Sequence, residues 1–154
     1  MSDDLIQLAK TTAAAHDLQP EIVCAVVEQE SNWNQWAIRY EPAFLARYVA
    51  PLHLTSTEST ARSISWGLMQ LMGEVAREYG FKGYLAELCD PATGLEYGCR
   101  KLAECFKRAN AQAHQDDFDP VEHALLYWNG GGNPDYGKQV KARIAKYATN
   151  NPTS

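Results

Sequence analysis

The sequence predicts an all-α, single-domain fold that spans residues 1–154. Most segments repeat their apolar residues with helical period, and no run of about four to eight residues alternates as a half-buried strand should. Signals for helix starts recur along the chain, and no repeat or linker divides it. A chain of 154 residues can bury a core without disulfides or a metal.

Five helices are expected in the first half of the chain. Pro20 suits the first turn of the second helix. Thr55 and Glu58 have capping-box spacing at the start of the fourth, and Gly80 should end the fifth. The expected segments are about 3–16, 20 through 30, 42 towards 48 with Pro51 beyond it, a short helix from 55, and 66–79.

Three more helices are expected in the second half. Asp90 and Asp119 are each followed by proline, which is the order of an N-cap and a first helical turn. The apolar spacing after Asp90 predicts a long, buried helix. The run Asn-Gly-Gly-Gly-Asn at 129–133 should end the helix after Asp119, and Pro134 should begin the last one.

Charge and composition limit the partners. The net charge of −5, without a basic cluster, argues against nucleic acid. No apolar run approaches the roughly 18 residues of a membrane span. The N-terminus is acidic and lacks the apolar stretch of a secretory signal, so we expect a protein made in the cytoplasm without a recognisable signal peptide. A monomer is the default expectation.

The cysteines and histidines indicate neither a disulfide framework nor a metal site. The four cysteines form no C-x-x-C pair, and we expect reduced, mostly buried thiols. The four histidines are scattered without the spacing of metal ligands. The sequence therefore predicts no metal and no cofactor.

The second helix carries a glutamate on its apolar side. At about 100° per residue, Glu30 falls within the stripe of Ile22 and Val26. Glu28 falls on the wet side of the same helix. A carboxyl among apolar groups holds its proton more readily, which suits a general acid. The structural alternative is a glutamate that pairs with a buried arginine or caps a neighbouring helix.

Three motifs share their order and spacing with a known family. They are Glu30-Ser31-x-Trp33-x-x-x-Ala37, Gly67-Leu68-Met69-Gln70 and Ala124-Leu125-x-x-Trp128-Asn129-x-Gly131. Together they resemble the soluble lytic transglycosylase family, whose fold is similar to goose-type lysozyme. The resemblance covers about residues 20–147. It implies a helical, lysozyme-like domain with a groove for the glycan strands of peptidoglycan.

The resemblance also implies roles for individual residues. Glu30 matches the family's acid and base. Ser31 follows it and can hydrogen-bond a substrate carbonyl or Glu30; the alternative is a hydroxyl at the helix end that bonds a backbone group. The Gly-Leu-Met-Gln segment lines the family's groove, which points to Met69 and Gln70 as substrate-binding residues.

The third motif departs from the family's pattern. A Tyr-Asn pair in the family falls on Trp128 and Asn129, and Tyr127 stands one place earlier. An indole offers only an N–H donor, so either Tyr127 replaces the family's tyrosine or the contact differs. The Gly130–Gly132 run allows a close approach to substrate, or is simply a loop.

The chemistry implied is cleavage of the β-1,4 bond between N-acetylmuramic acid and N-acetylglucosamine. A lytic transglycosylase forms a 1,6-anhydro-muramic acid product without a second carboxylate. A hydrolytic lysozyme would need one, and Glu41 and Glu58 are the possible second carboxylates. Arg39 and Arg62 could bind substrate carboxylates, although pairing with Glu41 or Glu58 is the expectation.

Two further alternatives remain open from the sequence. A degenerate domain could grip peptidoglycan without cutting it. Delivery to the cell wall could be that of a phage endolysin, a virion-associated enzyme or a secreted effector.

The aromatic residues around the motifs should be core for the most part, with some flooring the groove.

Overall fold

The computed structural model describes residues 3–112 and 119–148. Helices make up most of this part of the chain, with one small sheet, so the all-α prediction is confirmed. The described residues form two compact units, one of residues 30–98 and one of 3–29, 99–112 and 119–148. The expectation of a single domain stays a prediction.

The helices and strands of the described residues follow one another along the chain. They are α1 (Asp3–Ala15), α2 (Pro20–Ser31), β1 (Ile38–Tyr40), α3 (Pro42–Phe44), α4 (Ser56–Arg62), β2 (Ile64–Trp66), β3 (Leu71–Met72), α5 (Gly73–Glu78), α6 (Pro91–Asn110), α7 (Pro120–Asn129) and α8 (Tyr136–Ile144). A 3₁₀ helix also covers Leu85–Cys89.

The residues predicted to cap helix starts do so in the structure. The side chains of Thr55, Asp90 and Asp119 each accept a hydrogen bond from a backbone N–H in the first turn of the following helix. Pro20 is the first residue of α2, as expected. Helix α8 begins at Tyr136, two residues after the predicted start. Local signals in the sequence therefore mark the starts of α2, α4, α6 and α7.

The segment from Pro42 is helical, but not as one regular helix. After α3 it widens into a π-helix over Leu45–Val49 and tightens into a 3₁₀ helix over Ala50–Leu52. His53 ends it in the left-handed conformation, with φ 52°. The expected short helix is thus present, and Pro51 lies in its last turn rather than beyond it.

A three-stranded antiparallel sheet, in the order β1-β2-β3, was not expected from the sequence. Ile38 pairs with Trp66 and Tyr40 with Ile64, while Ser65 pairs with Met72. The strands are three, three and two residues long, which is too short for an alternating pattern to be visible.

The predicted helix over 66–79 is wrong in its first half. Trp66 ends β2, and Gly67 and Gln70 both have left-handed backbones, with φ 67° and 48°. These two residues turn the chain between β2 and β3, so the helix begins only at Gly73. Gly80 ends the turn after α5 with φ 87°, as predicted.

The amphipathic pattern predicted for α2 is also corrected. The six residues from Ile22 to Val27 are all buried, so the helix is enclosed on every side along this stretch. The solvent-exposed face that the helical wheel predicts is therefore not present between Ile22 and Val27. Both charged residues of the last turns, Glu28 and Glu30, have intermediate exposure.

Each unit has an apolar core. In the unit of 30–98 it contains Leu68, Leu71, Leu85, Leu88 and Leu95. In the other unit it contains Val23, Val26, Leu102, Leu125 and Val140.

The four cysteines are buried, as the sequence predicted, and they are free thiols in this structure. Burial raises the pKa of the Cys24 thiol to about 11, against the opposing effect of nearby Lys10. No helix within residues 3–112 and 119–148 is long and apolar enough to span a membrane.

Candidate active site

The end of α2 presents the Glu-Ser pair. Glu30 is half-buried and is the last residue but one of the helix. Asn32 and Trp33 follow with φ 50° and 65°, so two consecutive left-handed residues stop the helix directly after Ser31. Trp33 is buried and anchors this sharp exit.

Ser31 connects the first motif to the second. Its hydroxyl donates a hydrogen bond of 2.8 Å to the backbone oxygen of Leu68. The residue that follows Glu30 therefore holds the Gly-Leu-Met-Gln turn against the end of α2. Two motifs that are 37 residues apart in sequence meet through this bond.

Gln70 fixes the turn from inside. Its side-chain Nε2 donates to the backbone oxygens of Ala37 and Gly67, at 2.9 and 3.0 Å. The N–H of Gly67 also donates to the oxygen of Ala37, at 2.8 Å. These bonds satisfy backbone oxygens at a turn whose own residues are left-handed, so the amide of Gln70 has a clear structural task.

Met69 is buried rather than exposed to solvent, with 1% of its surface accessible. It packs against Gly98 in α6, where an added Cβ would lie 2.3 Å from the Met69 sulfur. Gly67 is equally confined, because a Cβ there would lie 2.3 Å from the oxygen of Leu88. The second motif is thus fitted closely onto its unit, and sequence reasoning missed the contribution of Gly98.

The two candidate second carboxylates are both ion-paired. Glu41 lies 2.6 Å from the Nε of Arg39. Glu58 is bound by Arg62 and by Arg77, each through Nε at 2.8 Å. The hydrogen bonds from Arg77, against the cost of burial, hold the pKa of Glu58 below its usual range. The expected ion pairs, Arg39 with Glu41 and Arg62 with Glu58, are confirmed.

Arg77 also organises the chain around it. Its Nη1 donates to the backbone oxygens of Phe81 and Gly83, both at 2.8 Å. Arg62 bridges from Glu58 to Glu74, at 3.1 Å. Glu58 therefore belongs to a network that ties α4 to α5 and to the loop after it.

The third motif lies at the end of α7. The Trp128 ring is buried, with Lys101 Nζ 4.3 Å from its centre, and the same ammonium donates to the Trp128 backbone oxygen. The Tyr127 hydroxyl donates to Gln112, and the guanidinium of Arg108 lies 4.0 Å from its ring. Trp128 is therefore a packing residue, whereas Tyr127 has intermediate exposure.

Asn129 is the last residue of α7. Its Nδ2 donates to the backbone oxygen of Asn133 at 3.2 Å, across the glycine run. Gly130 ends the helix with φ 69°, as predicted. A shallow pocket lies beside this loop, lined by Arg108, Leu126, Tyr127, Gly130 and Gly131.

Glu28 is an inward carboxyl that the helical wheel assigned to the wrong side. Lys146 and the Tyr147 hydroxyl both donate to it, and Arg143 lies within 3.6 Å. Burial alone would raise its pKa, but these hydrogen bonds outweigh burial and lower it. The cations come from the far end of the chain, where no local pattern in α2 could reveal them.

Most of the aromatic residues near the motifs are buried, as expected, and a role of the others in flooring the groove stays a prediction. Trp33, Trp66 and Trp128 are buried, and the Trp66 indole donates to the oxygen of Ala61. Trp36 and Tyr40 are exposed. These two are the rings near the first motif with faces open to a ligand.

Comparison with known proteins agrees with the motif pattern. The family model described as "Transglycosylase SLT domain" matches residues 7–149. The chain is 26% identical over 144 residues to proteins named "Type IV secretion system protein virB1" in Brucella abortus, Brucella melitensis and Brucella suis. The match covers 83% of this chain, and the chain spans 59% of the length of these relatives. No solved structure matches.

Proposed function

The chain belongs to the transglycosylase SLT domain family of peptidoglycan-cleaving enzymes, and we propose that Glu30 is the general acid and base of its reaction. The bond cleaved in this proposal joins N-acetylmuramic acid to N-acetylglucosamine. The product carries a 1,6-anhydro ring on muramic acid.

The hydrogen bond from Ser31 to Leu68 is the observation that carries the proposal. It brings the Glu-Ser pair and the Gly-Leu-Met-Gln turn into one arrangement, in a half-buried setting at a helix end. A half-buried carboxyl at a helix end is accessible to substrate, and a general acid must lie within hydrogen-bond reach of the group that it protonates. This combination supports Glu30 over the other carboxyls of the chain.

The proposed mechanism uses one carboxyl twice. Protonated Glu30 gives its proton to the glycosidic oxygen as the C–O bond breaks and positive charge develops at the anomeric carbon. The 6-hydroxyl of the same muramic acid then attacks that carbon, and the Glu30 carboxylate takes the hydroxyl proton. An attacking group on the same sugar acts at an effective concentration of about 10⁵–10⁸ M, so it outcompetes water.

The ion pairs of Glu41 and Glu58 favour this route over hydrolysis. A carboxylate that accepts hydrogen bonds from two guanidinium groups, as Glu58 does, is a poor base for water. Among the described residues Glu41 is paired with one guanidinium, that of Arg39, and it is the better candidate for a second carboxylate. A hydrolytic lysozyme reaction that depends on Glu41 is therefore the second proposal.

The candidate substrate-binding residues are proposed to act in two ways. Ser31, Met69 and Gln70 shape the site indirectly: Ser31 and Gln70 bond the backbone of the turn, and Met69 is buried beneath it. Tyr127 and Asn129 have side chains with polar atoms and intermediate exposure, so they are proposed to contact the glycan. Trp128 supports them from the core, through its packing against Lys101.

The setting is proposed from the relatives' name. The Brucella proteins are named as components of a type IV secretion system. A machine that crosses the cell envelope must open the peptidoglycan layer locally. We propose that this chain acts on the cell wall in such a setting, rather than as a phage endolysin.

The test is mass spectrometry of the fragments that the protein releases from purified peptidoglycan. Glu30→Gln keeps the shape of the side chain and removes the proton, so we expect release to fall at least about 10²-fold. Wild-type products should end in 1,6-anhydro-muramic acid. Glu104→Gln, an exposed substitution of the same kind in α6, is the matched control and should keep full activity.

Other outcomes would change the proposal in defined ways. Products heavier by one water, lost in Glu41→Gln, would establish the hydrolytic reaction instead. Binding of intact peptidoglycan by the wild type without any release would make the protein a non-catalytic binding module. Full activity of Glu30→Gln would remove Glu30 from the mechanism.

A further inference from the structure

Gln139 in α8 accepts two hydrogen bonds through one atom. Its Oε1 receives the Nε2 donor of Gln29 at 3.0 Å and the Nδ2 donor of Asn133 at 3.1 Å. Two amide donors cannot face an NH₂ group, so this arrangement fixes the orientation of the Gln139 amide. Gln29 directly precedes Glu30 in α2, and Asn133 lies in the loop after Asn129.

Asn133 passes the connection on to Asn129. The backbone oxygen of Asn133 accepts the Nδ2 donor of Asn129, at 3.2 Å. The Asn133 side-chain oxygen accepts the backbone N–H of Asp135, at 3.0 Å. Both ends of Asn133 are therefore held, and its position determines where the side chain of Asn129 points.

Packing does little to hold this loop. A Cβ added at Gly130, Gly131 or Gly132 would meet no atom within 4 Å. Gly130 and Gly131 also have left-handed backbones, with φ 69° and 77°. A segment of this kind, without side chains to pack, depends on polar contacts at its ends for a defined position.

We propose that Gln139 is a positioning residue for the reaction: it joins the Asn129–Asn133 loop to the residue that precedes the catalytic acid. This inference rests on the proposed function of Glu30 and Asn129. The relay consists of three hydrogen bonds that run from Gln29 through Gln139 and Asn133 to Asn129, and Gln139 Oε1 accepts two of them. Gln139 itself has no part in the chemical step.

The substitutions follow from the chemistry of the acceptor. Gln139→Met keeps the length of the side chain and removes the acceptor, whereas Gln139→Glu keeps an oxygen that can accept both bonds. We expect Gln139→Met to lower kcat about threefold to tenfold with KM nearly unchanged, because the loss affects the geometry of the reacting complex. Gln139→Glu should restore the rate to within about twofold of the wild type.

Gln7→Met is the matched control, because Gln7 is an exposed helical glutamine whose bond to Thr11 lies outside the relay. It should leave kcat unchanged. The double variant Gln29→Met with Gln139→Met should be no slower than Gln139→Met alone, because both changes break the same connection.

Hydrogen exchange gives a readout that needs no turnover. Backbone amides of the 130–135 segment should exchange faster in Gln139→Met than in the wild type, and at the wild-type rate in Gln139→Glu. An inactive wild type would refute the proposed function, and exchange alone would then decide whether the relay holds the loop. Equal exchange and equal kcat in Gln139→Met and Gln7→Met, or an equal loss in Gln139→Met and Gln139→Glu, would overturn the relay.

Discussion

Single residues near the end of α2 show what a sequence can and cannot reveal. The motif pattern indicates Glu30, Ser31 and Gln70 as candidate site residues. Their partners were not visible, because Leu68 and Ala37 offer backbone oxygens, which every residue has. The helical wheel places Glu28 on the wet side of α2, because its partners Lys146 and Tyr147 lie far away in the sequence.

Gln70 gives a prediction at this scale. Its amide makes two hydrogen bonds to backbone oxygens, each worth about 0.5–1.5 kcal/mol net. Gln70→Ala should therefore lower the free energy of unfolding by about 1–3 kcal/mol. Urea unfolding measures this loss, with the exposed Gln7→Ala as control.

The same variant separates structure from substrate contact. Activity per folded molecule should fall in Gln70→Ala, because the turn that bears Met69 loosens. An unchanged unfolding free energy together with lost activity would instead make Gln70 a direct substrate contact.

At the scale of the elements, local chemistry determined what could be predicted. A helix start follows from a capping side chain and a proline, which can be recognised within four residues. The predicted starts at Asp90 and Asp119 are confirmed for that reason. The pairing of β1 with β2 joins segments that are distant in sequence, and the late start of α5 follows from the short hairpin of β2 and β3. Strands of two or three residues give no periodicity to detect.

The cap of α7 gives the prediction for this scale. Asp119 accepts the backbone N–H groups of Val121 and Glu122, and its other oxygen binds Lys141. Asp119→Ala should cost about 0.5–2 kcal/mol of stability. Asp119→Asn keeps the capping oxygen and should recover most of that loss in thermal unfolding. Equal destabilisation by both variants would assign the effect to the Lys141 ion pair instead.

The whole molecule has a common response to acid. Glu28, Glu58 and Asp119 all have a lowered pKa in the folded state, each with hydrogen bonds from cationic side chains as a cause. A carboxyl with a lowered folded pKa stabilises the fold above its unfolded pKa, near 4. That contribution disappears as the pH falls through the folded value.

We therefore expect the melting temperature to be level from about pH 7 to 5 and to drop steeply below about pH 4. Thermal unfolding followed by circular dichroism over this range measures the effect. Glu58→Gln should flatten the decline, because it removes one of the three groups. A melting temperature that rises between pH 5 and pH 3 would contradict the sign of all three shifts.

The small sheet has a consequence for solution behaviour. Strand β1 is an edge strand, and its residues Ile38, Arg39 and Tyr40 are all exposed, next to the exposed Trp36. Such an edge is a template on which a second molecule could add a strand and begin to aggregate. The length of three residues and the charge of Arg39, which also pairs with Glu41, both oppose this, so we expect Arg39 to limit self-association.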